Sequence, residues 1–451
     1  MKNLERVPYR LFINSKPPFL LLCILGIQAF AKFGLLVMLL IILGERAHLN
    51  QNEVVNLINI TFLGSAFTTL LFSLRSPIGA NCFLPCIASV SYFAGLLAVV
   101  EAKGLSSLYG AGMIVGIAQL FGSFILYFFR RYFTLRLAGL IFFGLGIWGS
   151  ALGISELFHP VGLGQIILHG ATQNSRFQLQ PALLGILVLI IMLTCMMLKR
   201  LRNVCVLIGV IIGWIIGAIF GFIPNDHVAI LKNTPWFTYP HFWHPINFVF
   251  SLKAYVFLIS LGFYSSIILF ALITILRKEN YKDWEARNLQ ACIKGNLAIS
   301  IGAIITSFLG GFPATPPHGS VAGLIATQAY SRRIAYVCAT ILFIFAFIPK
   351  FAVFFITMPA TVNGAVIILM GGIMCAKSFK YINFNQLSSS QLKAYSYAII
   401  LLVITDVTPT LYQLKFLTFF IPNGLVVGLI ALILLTLLFS LNRHEKTSQP
   451  S

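Results

Sequence analysis

The chain has 451 residues, of which 59% are hydrophobic and 9% charged, and its formal net charge is +20. Soluble domains carry about 25% charged residues, so a water-soluble globular protein is excluded; a bilayer removes the need for charge because lipid-facing positions are apolar. The basic excess sits in short clusters between apolar runs and forms no continuous patch, which argues against nucleic acid as a partner.

A spanning helix needs about 20 apolar residues. In chain order this predicts spans at 18–44, 53–74, 106–129, 135–156, 181–199, 204–223, 250–276, 288–309, 333–351, 354–376, 391–408 and 421–441. The first run is long enough to span and lacks a small-residue cleavage site, so no cleavable signal peptide is expected. Two shorter segments, 79–100 and 312–330, start with Pro and Gly: Arg75-Ser-Pro-Ile-Gly-Ala leads into one and Gly310-Gly-Phe-Pro-Ala-Thr-Pro-Pro-His-Gly into the other. Counting both gives an all-α polytopic membrane protein of about 14 transmembrane segments. About ten residues follow the last span, so no cytoplasmic domain is expected after it. The eight cysteines lie in or beside apolar segments and form no disulfide framework. Cys82 and Cys86 share a helix face but have no nearby histidine or third cysteine, so neither a metal nor another cofactor is expected.

The basic residues test the count. With a cytoplasmic N-terminus and 14 crossings, Arg75, Arg130, Arg131, Arg136, Lys199, Arg200, Arg277, Lys278, Lys377 and Lys380 all fall inside, and the C-terminus is cytoplasmic too. Omitting one short segment turns Arg130–Arg136 outward, so the positive-inside bias argues that both cross. The short segments are third and tenth in order. An offset of seven spans reverses orientation, so residues 1–230 and 231–451 read as two inverted seven-span repeats. Ala138-Gly-Leu-Ile-Phe-Phe-Gly-Leu-Gly-Ile-Trp-Gly in span five matches Gly364-Ala-Val-Ile-Ile-Leu-Met-Gly-Gly-Ile-Met-Cys in span twelve. Small residues at that spacing let helices pack closely. Interrupted spans at matched positions point to a transporter's binding site, because non-helical backbone at membrane depth must line a cavity or be buried in protein.

At these residues the chain resembles the nucleobase–cation symporters of the second class, the uracil, xanthine, urate and ascorbate permeases. The stretch from Gly310 through Ser331-Arg-Arg is similar to the family's tenth-span signature, and Leu25-Gly-Ile-Gln-Ala-Phe-Ala-Lys to its first span. Ala80-Asn-Cys-Phe-Leu resembles the third-span strand, and Leu201-Arg-Asn-Val-Cys the opening of span seven. The resemblance implies a core domain (spans 1–4 and 8–11) and a gate domain (spans 5–7 and 12–14). It further implies antiparallel strands in spans three and ten around the solute, and a homodimer paired through the gate domain. The chain departs from the family pattern where acids are usual. The span-eight position is Tyr264, the span-ten position Ser320, the span-nine acid Lys294, and the first-span histidine falls near Ala29.

Intramembrane ionisable residues are functional candidates by default. Lys32 lies one turn from Gln28, its alternative role being a lysine paired in the packed core. The expected solute-binding residues are Gln28, Lys32, Phe83, Tyr264, His318 and Ser320. His318 and Asp406 are the coupling candidates, although Asp406 reads rather as structural. Phe83 offers a ring face, Tyr264 and Ser320 neutral hydrogen bonds, and His318 a proton titrating near neutrality. The expected function is secondary transport of a nucleobase of the xanthine, urate or uracil class. The alternative is a small-anion transporter or exchanger on the same fold, favoured by the missing carboxylates and by Lys32. The sequence has no His-rich cluster, paired carboxylates or Gly-x-x-x-x-Gly-Lys-Ser/Thr loop, which argues against an enzyme. Matched broken helices argue against a channel.

Overall fold

The computed structural model describes residues 10–31, 36–130, 133–159, 178–242, 244–281 and 289–382. The spans expected at 391–408 and 421–441, Asp406 and Lys32 lie outside them. The helices are α1 (Phe19–Ala31), α2 (Leu36–Arg46), α3 (Gln51–Ser73), α4 (Val90–Lys103), α5 (Leu105–Phe128), α6 (Leu135–Phe158), α7 (Leu179–Met197) and α8 (Cys205–Ile219). They continue with α9 (Asn225–Asn233), α10 (Leu252–Asn280), α11 (Gln290–Phe308), α12 (Ser320–Thr327), α13 (Arg333–Phe345), α14 (Pro349–Phe354) and α15 (Ala360–Ile382). Among the described residues eight helices are long and apolar enough to cross a bilayer, or nine if the bent α13–α14 pair is one span.

Local chemistry sets the helix ends. At α3, Asn50 Oδ1 accepts from Glu53 N at 3.0 Å and Glu53 Oε2 accepts from Asn50 N at 2.9 Å, a closed capping box. Thr134 and Ser251 cap α6 and α10. The end of the eleventh span corrects the sequence reading. The chain bends by 113° between α13 and α14, where Pro349 supplies no N–H to continue the ladder. The next span then begins after Met358-Pro359 rather than at 354.

The helices pack in two sets. In one, α5 lies on α10 and α11, α3 on α11 and α13, and α1 on α13; in the other, α6 lies on α15, and α7 on α8 and α15. A polar network crosses the first set. Tyr92 Oη donates to Gln119 Oε1 (2.8 Å) and Gln119 Nε2 to Asn296 Oδ1 (3.1 Å). Asn296 Nδ2 in turn donates to the hydroxyls of Ser123 (3.0 Å) and Ser266 (3.1 Å). Four helices, α4, α5, α10 and α11, are thereby tied by hydrogen bonds whose strength depends on their dry surroundings.

The second set is held at glycines of spans five and twelve, some of them in the small-residue runs noted above. Helices α6 and α15 run antiparallel: Gly139 meets Tyr381 and Ile382, Gly146 meets Cys375, and Gly153 meets Gly364. A methyl group on Gly364 falls 2.8 Å from the Gly153 carbonyl oxygen and 2.9 Å from the Leu157 nitrogen. Both are backbone atoms, so only movement of a whole helix relieves the clash. Gly364→Ala is therefore expected to cost about 2 kcal/mol, read as a fall of several degrees in the unfolding temperature of the purified protein. An unchanged temperature means that the helices lie farther apart. Within this seam Glu156 is fully buried; its Oε2 accepts from Asn363 Nδ2 at 2.6 Å.

Candidate functional site

The third and tenth spans are broken by strands. Helix α4 has 14 residues and α12 eight, about 21 and 12 Å long at 1.5 Å per residue. Neither crosses a core of about 30 Å alone. Ahead of each lies a two-residue strand, β1 (Ile87–Ala88) and β2 (Ala314–Thr315). The strands pair antiparallel, Ile87 opposite Thr315 and Ala88 opposite Ala314, and all four residues are buried. Proline and glycine explain why the chain is extended there: Pro77, Pro85, Pro313, Pro316 and Pro317 cannot serve as donors in a helix interior.

The strand pair brings together hydroxyls and one imidazole. Thr315 Oγ1 donates to Ser89 Oγ at 2.7 Å. Ser91, in the first turn of α4, is hydrogen-bonded through Oγ to His318 Nε2 at 2.7 Å. Ser320 opens α12; its Oγ is buried and has no partner among the described residues, a condition rare enough to need an explanation. The opposite wall comes from the glycine seam. The Trp148 ring of α6 meets the His318 ring at 5.6 Å, tilted by 65°. Met370 of α15 lies within 3.5 Å of where a Cβ on Gly319 would stand. His318 and Gly319 thus sit where the two packing sets meet, and both keep some exposure.

Gln28 is buried, and both ends of its amide are taken by backbone: Nε2 donates to the Asn203 carbonyl at 2.9 Å, and Oε1 accepts from Leu207 N at 3.1 Å. It fastens α1 to the start of α8. Phe83 is 1% exposed, in the core ahead of β1. Tyr264 is buried in α10; it lies two residues from both Gly262 and Ser266, which face α5, so it leaves the helix on another side. Lys294 lines a separate cavity at the start of α11. Sequence reading missed Ser89, Ser91, Thr315, Trp148 and Met370. Trp148 stood inside the small-residue run, where it read as packing.

One ion cluster joins the two sets at the end of the bundle that holds the C-terminus of α10. Glu279 of α10 accepts from Lys377 Nζ of α15 at 2.8 Å and from the Tyr381 hydroxyl of the same helix. Arg10 lies 3.7 Å from its other oxygen. The segment holding Arg10 is anchored in turn, because residues 11–13 pair with the backbone of 328–332.

Two broken spans crossing through paired strands, inside a bundle of apolar helices, are the construction of a membrane permease. Residues 21–414 match the permease family of xanthine and uracil carriers. The chain belongs to the xanthine/uracil permease family. The xanthine permease XanQ of Escherichia coli K12 is 25% identical over 286 residues, which are 63% of this chain and 59% of that protein. The chain thus aligns with about three fifths of the curated relative's length. Among solved structures, SLC26A9 superposes with a TM-score of 0.53 at 12% identity, over 94% of this chain and 66% of that one. The transmembrane domain of the cyanobacterial bicarbonate transporter BicA gives 0.49 at 14% identity, over 93% and 100%.

Proposed function

We propose that the chain is a secondary active transporter of a nucleobase or related purine or pyrimidine of the xanthine, urate or uracil class. The observation that carries this reading is the antiparallel pairing of β1 and β2 at the breaks of spans three and ten, just ahead of α12. Beside it the partly exposed His318 ring meets Trp148 across the junction of the two packing sets, and the Ser320 hydroxyl is buried without a partner among the described residues. A planar base needs a ring face and a few directional hydrogen bonds. Trp148 supplies the first, and Ser320 and His318 supply the second. Family membership and the likeness to XanQ support the substrate class.

On this reading the set containing α3, α5, α10 and α11 is the core domain and the set containing α6, α7, α8 and α15 the gate. Fourteen spans form two inverted repeats, and transport proceeds by alternating access. His318 carries the coupling proton. The Glu279–Lys377–Tyr381 cluster closes the cytoplasmic side, where both termini lie. A second reading, a small-anion transporter, is favoured by one observation: the described groups around the strand pair are hydroxyls, an imidazole and an indole, with no carboxylate to hold the N–H edge of a neutral base.

Uptake into proteoliposomes tests both. Saturable uptake of xanthine, urate or uracil, accelerated by an inward proton gradient, is the expected result. Uptake confined to organic or inorganic anions and indifferent to that gradient establishes the second reading, and no uptake of either class refutes both.

A further inference from the structure

We propose that the basic end of the bundle carries a second site, separate from the strand pair, that binds a phosphate group. A cavity of about 380 Å³ opens between the loop after α3, the last turns of α10 and the first turn of α11. Three cations line it, Arg75, Arg277 and Lys294, together with Ser76, Asn81 and Gln290. No carboxylate stands among its described lining residues.

The cations come from three separate elements, so their meeting is a product of the fold and not of one basic run in the sequence. Arg277 is fixed in place: its guanidinium donates to the Ala80 carbonyl and lies 5.7 Å from the centre of the Tyr281 ring. Its Nε is buried without a partner among the described residues. Asn81 is held too, in the left-handed region at φ 54°, with its Oδ1 accepting from Arg332 Nη1 at 2.6 Å. Gln290 and Ala291 open α11, so the positive end of that helix dipole points into the same space. Like charges gathered in a cleft repel, and an anion shared among them relieves the repulsion.

The chemistry selects the ligand. Arginine forks match the tetrahedral oxygens of phosphate, and lysine adds a point charge. The volume exceeds what one phosphate needs, leaving room for the group that carries it. The site lies at helix ends, where either a lipid headgroup or a water-borne phosphate could supply the group. The phosphate is the shared element of both sources.

The test uses the purified full chain. Inorganic phosphate is titrated in neutral detergent with thermal unfolding as the readout. In a parallel arm, nanodiscs of phosphatidylcholine, with and without phosphatidylglycerol, are compared by unfolding temperature and by native mass spectrometry of retained lipid. Binding in either arm is expected, weakened about tenfold or more in the Arg75→Gln/Lys294→Gln double variant and largely kept in Arg75→Lys/Lys294→Arg. A response to free phosphate identifies a soluble ligand, and a response to phosphatidylglycerol alone identifies a lipid headgroup; both support the site. No binding in either arm, or equal binding by the double-glutamine variant, overturns it. Should that variant fail to fold, salt decides on the unaltered chain: binding that does not weaken between low and high ionic strength overturns the proposal.

Discussion

Uptake by His318→Ala is expected to fall about 10- to 100-fold, with the folded protein recovered in normal amount. The substitution removes the partner of Ser91 Oγ and the imidazole that meets Trp148 across the junction. Loss of a hydrogen bond between the imidazole and the solute costs about 1–3 kcal/mol, and each 1.4 kcal/mol is a factor of ten in an equilibrium constant. If the imidazole acts on the solute, the loss falls on transport and binding rather than on stability. Ser91→Ala serves as the internal comparison. It breaks the same hydrogen bond but leaves the ring facing Trp148, so its effect should be severalfold smaller. Initial uptake rates and size-exclusion profiles of both variants decide the matter. Normal rates for His318→Ala reduce the residue to a turn-stabilising role. Equal defects in the two variants assign the effect to the hydrogen bond alone.

The second large effect is expected from Glu279→Ala. The Glu279 side chain is 8% exposed and is shared by Lys377, Tyr381 and Arg10. Removing one partner of a buried ion pair costs about 3–5 kcal/mol where burial is complete. Lys377 and Arg10 are about one third exposed, which brings the expectation to about 2 kcal/mol. Because the cluster joins α10 to α15, the loss should favour separation of the two packing sets at that end. Backbone amides in the last turns of both helices should exchange with deuterium about tenfold faster or more, while those at the strand pair stay protected. Lys377→Met should give a smaller change in the same direction. Unchanged exchange in the last turns of α10 and α15 would mean that the cluster is decorative. Uniformly faster exchange throughout would mean that Glu279 supports the whole fold instead.

The course of the fold was legible where physics is local. Bilayer thickness and apolar run length located most of the described helices, and Pro and Gly at 77–79 and 310–317 marked the two interrupted segments, in which the family resemblance placed strands. The glycine spacing in spans five and twelve identified a close helix pair, though not that the two helices are each other's partners. The site was legible in part. His318 and Ser320 lie beside the strand break that drew attention to them. Trp148 was not legible, because an aromatic in a span says nothing of what it faces until the tertiary contact exists. Gln28 misled for the complementary reason: a buried amide reads as a ligand for solute until Asn203 and Leu207, some 175 and 179 residues away in sequence, are seen to occupy it. The bend at Pro349 displaced a boundary because apolar residues continue on both sides of Pro349-Lys350.

The contact between Gly153 and Gly364 limits how the molecule can work. Side chains are what let two helices roll or slip past one another, and here bare main chain abuts bare main chain. On the transport reading proposed above, α6 and α15 would move together as one stiff plank. Rocking would then fall where that plank meets the other packing set, and Trp148 and Met370 are among its contacts with the broken tenth span.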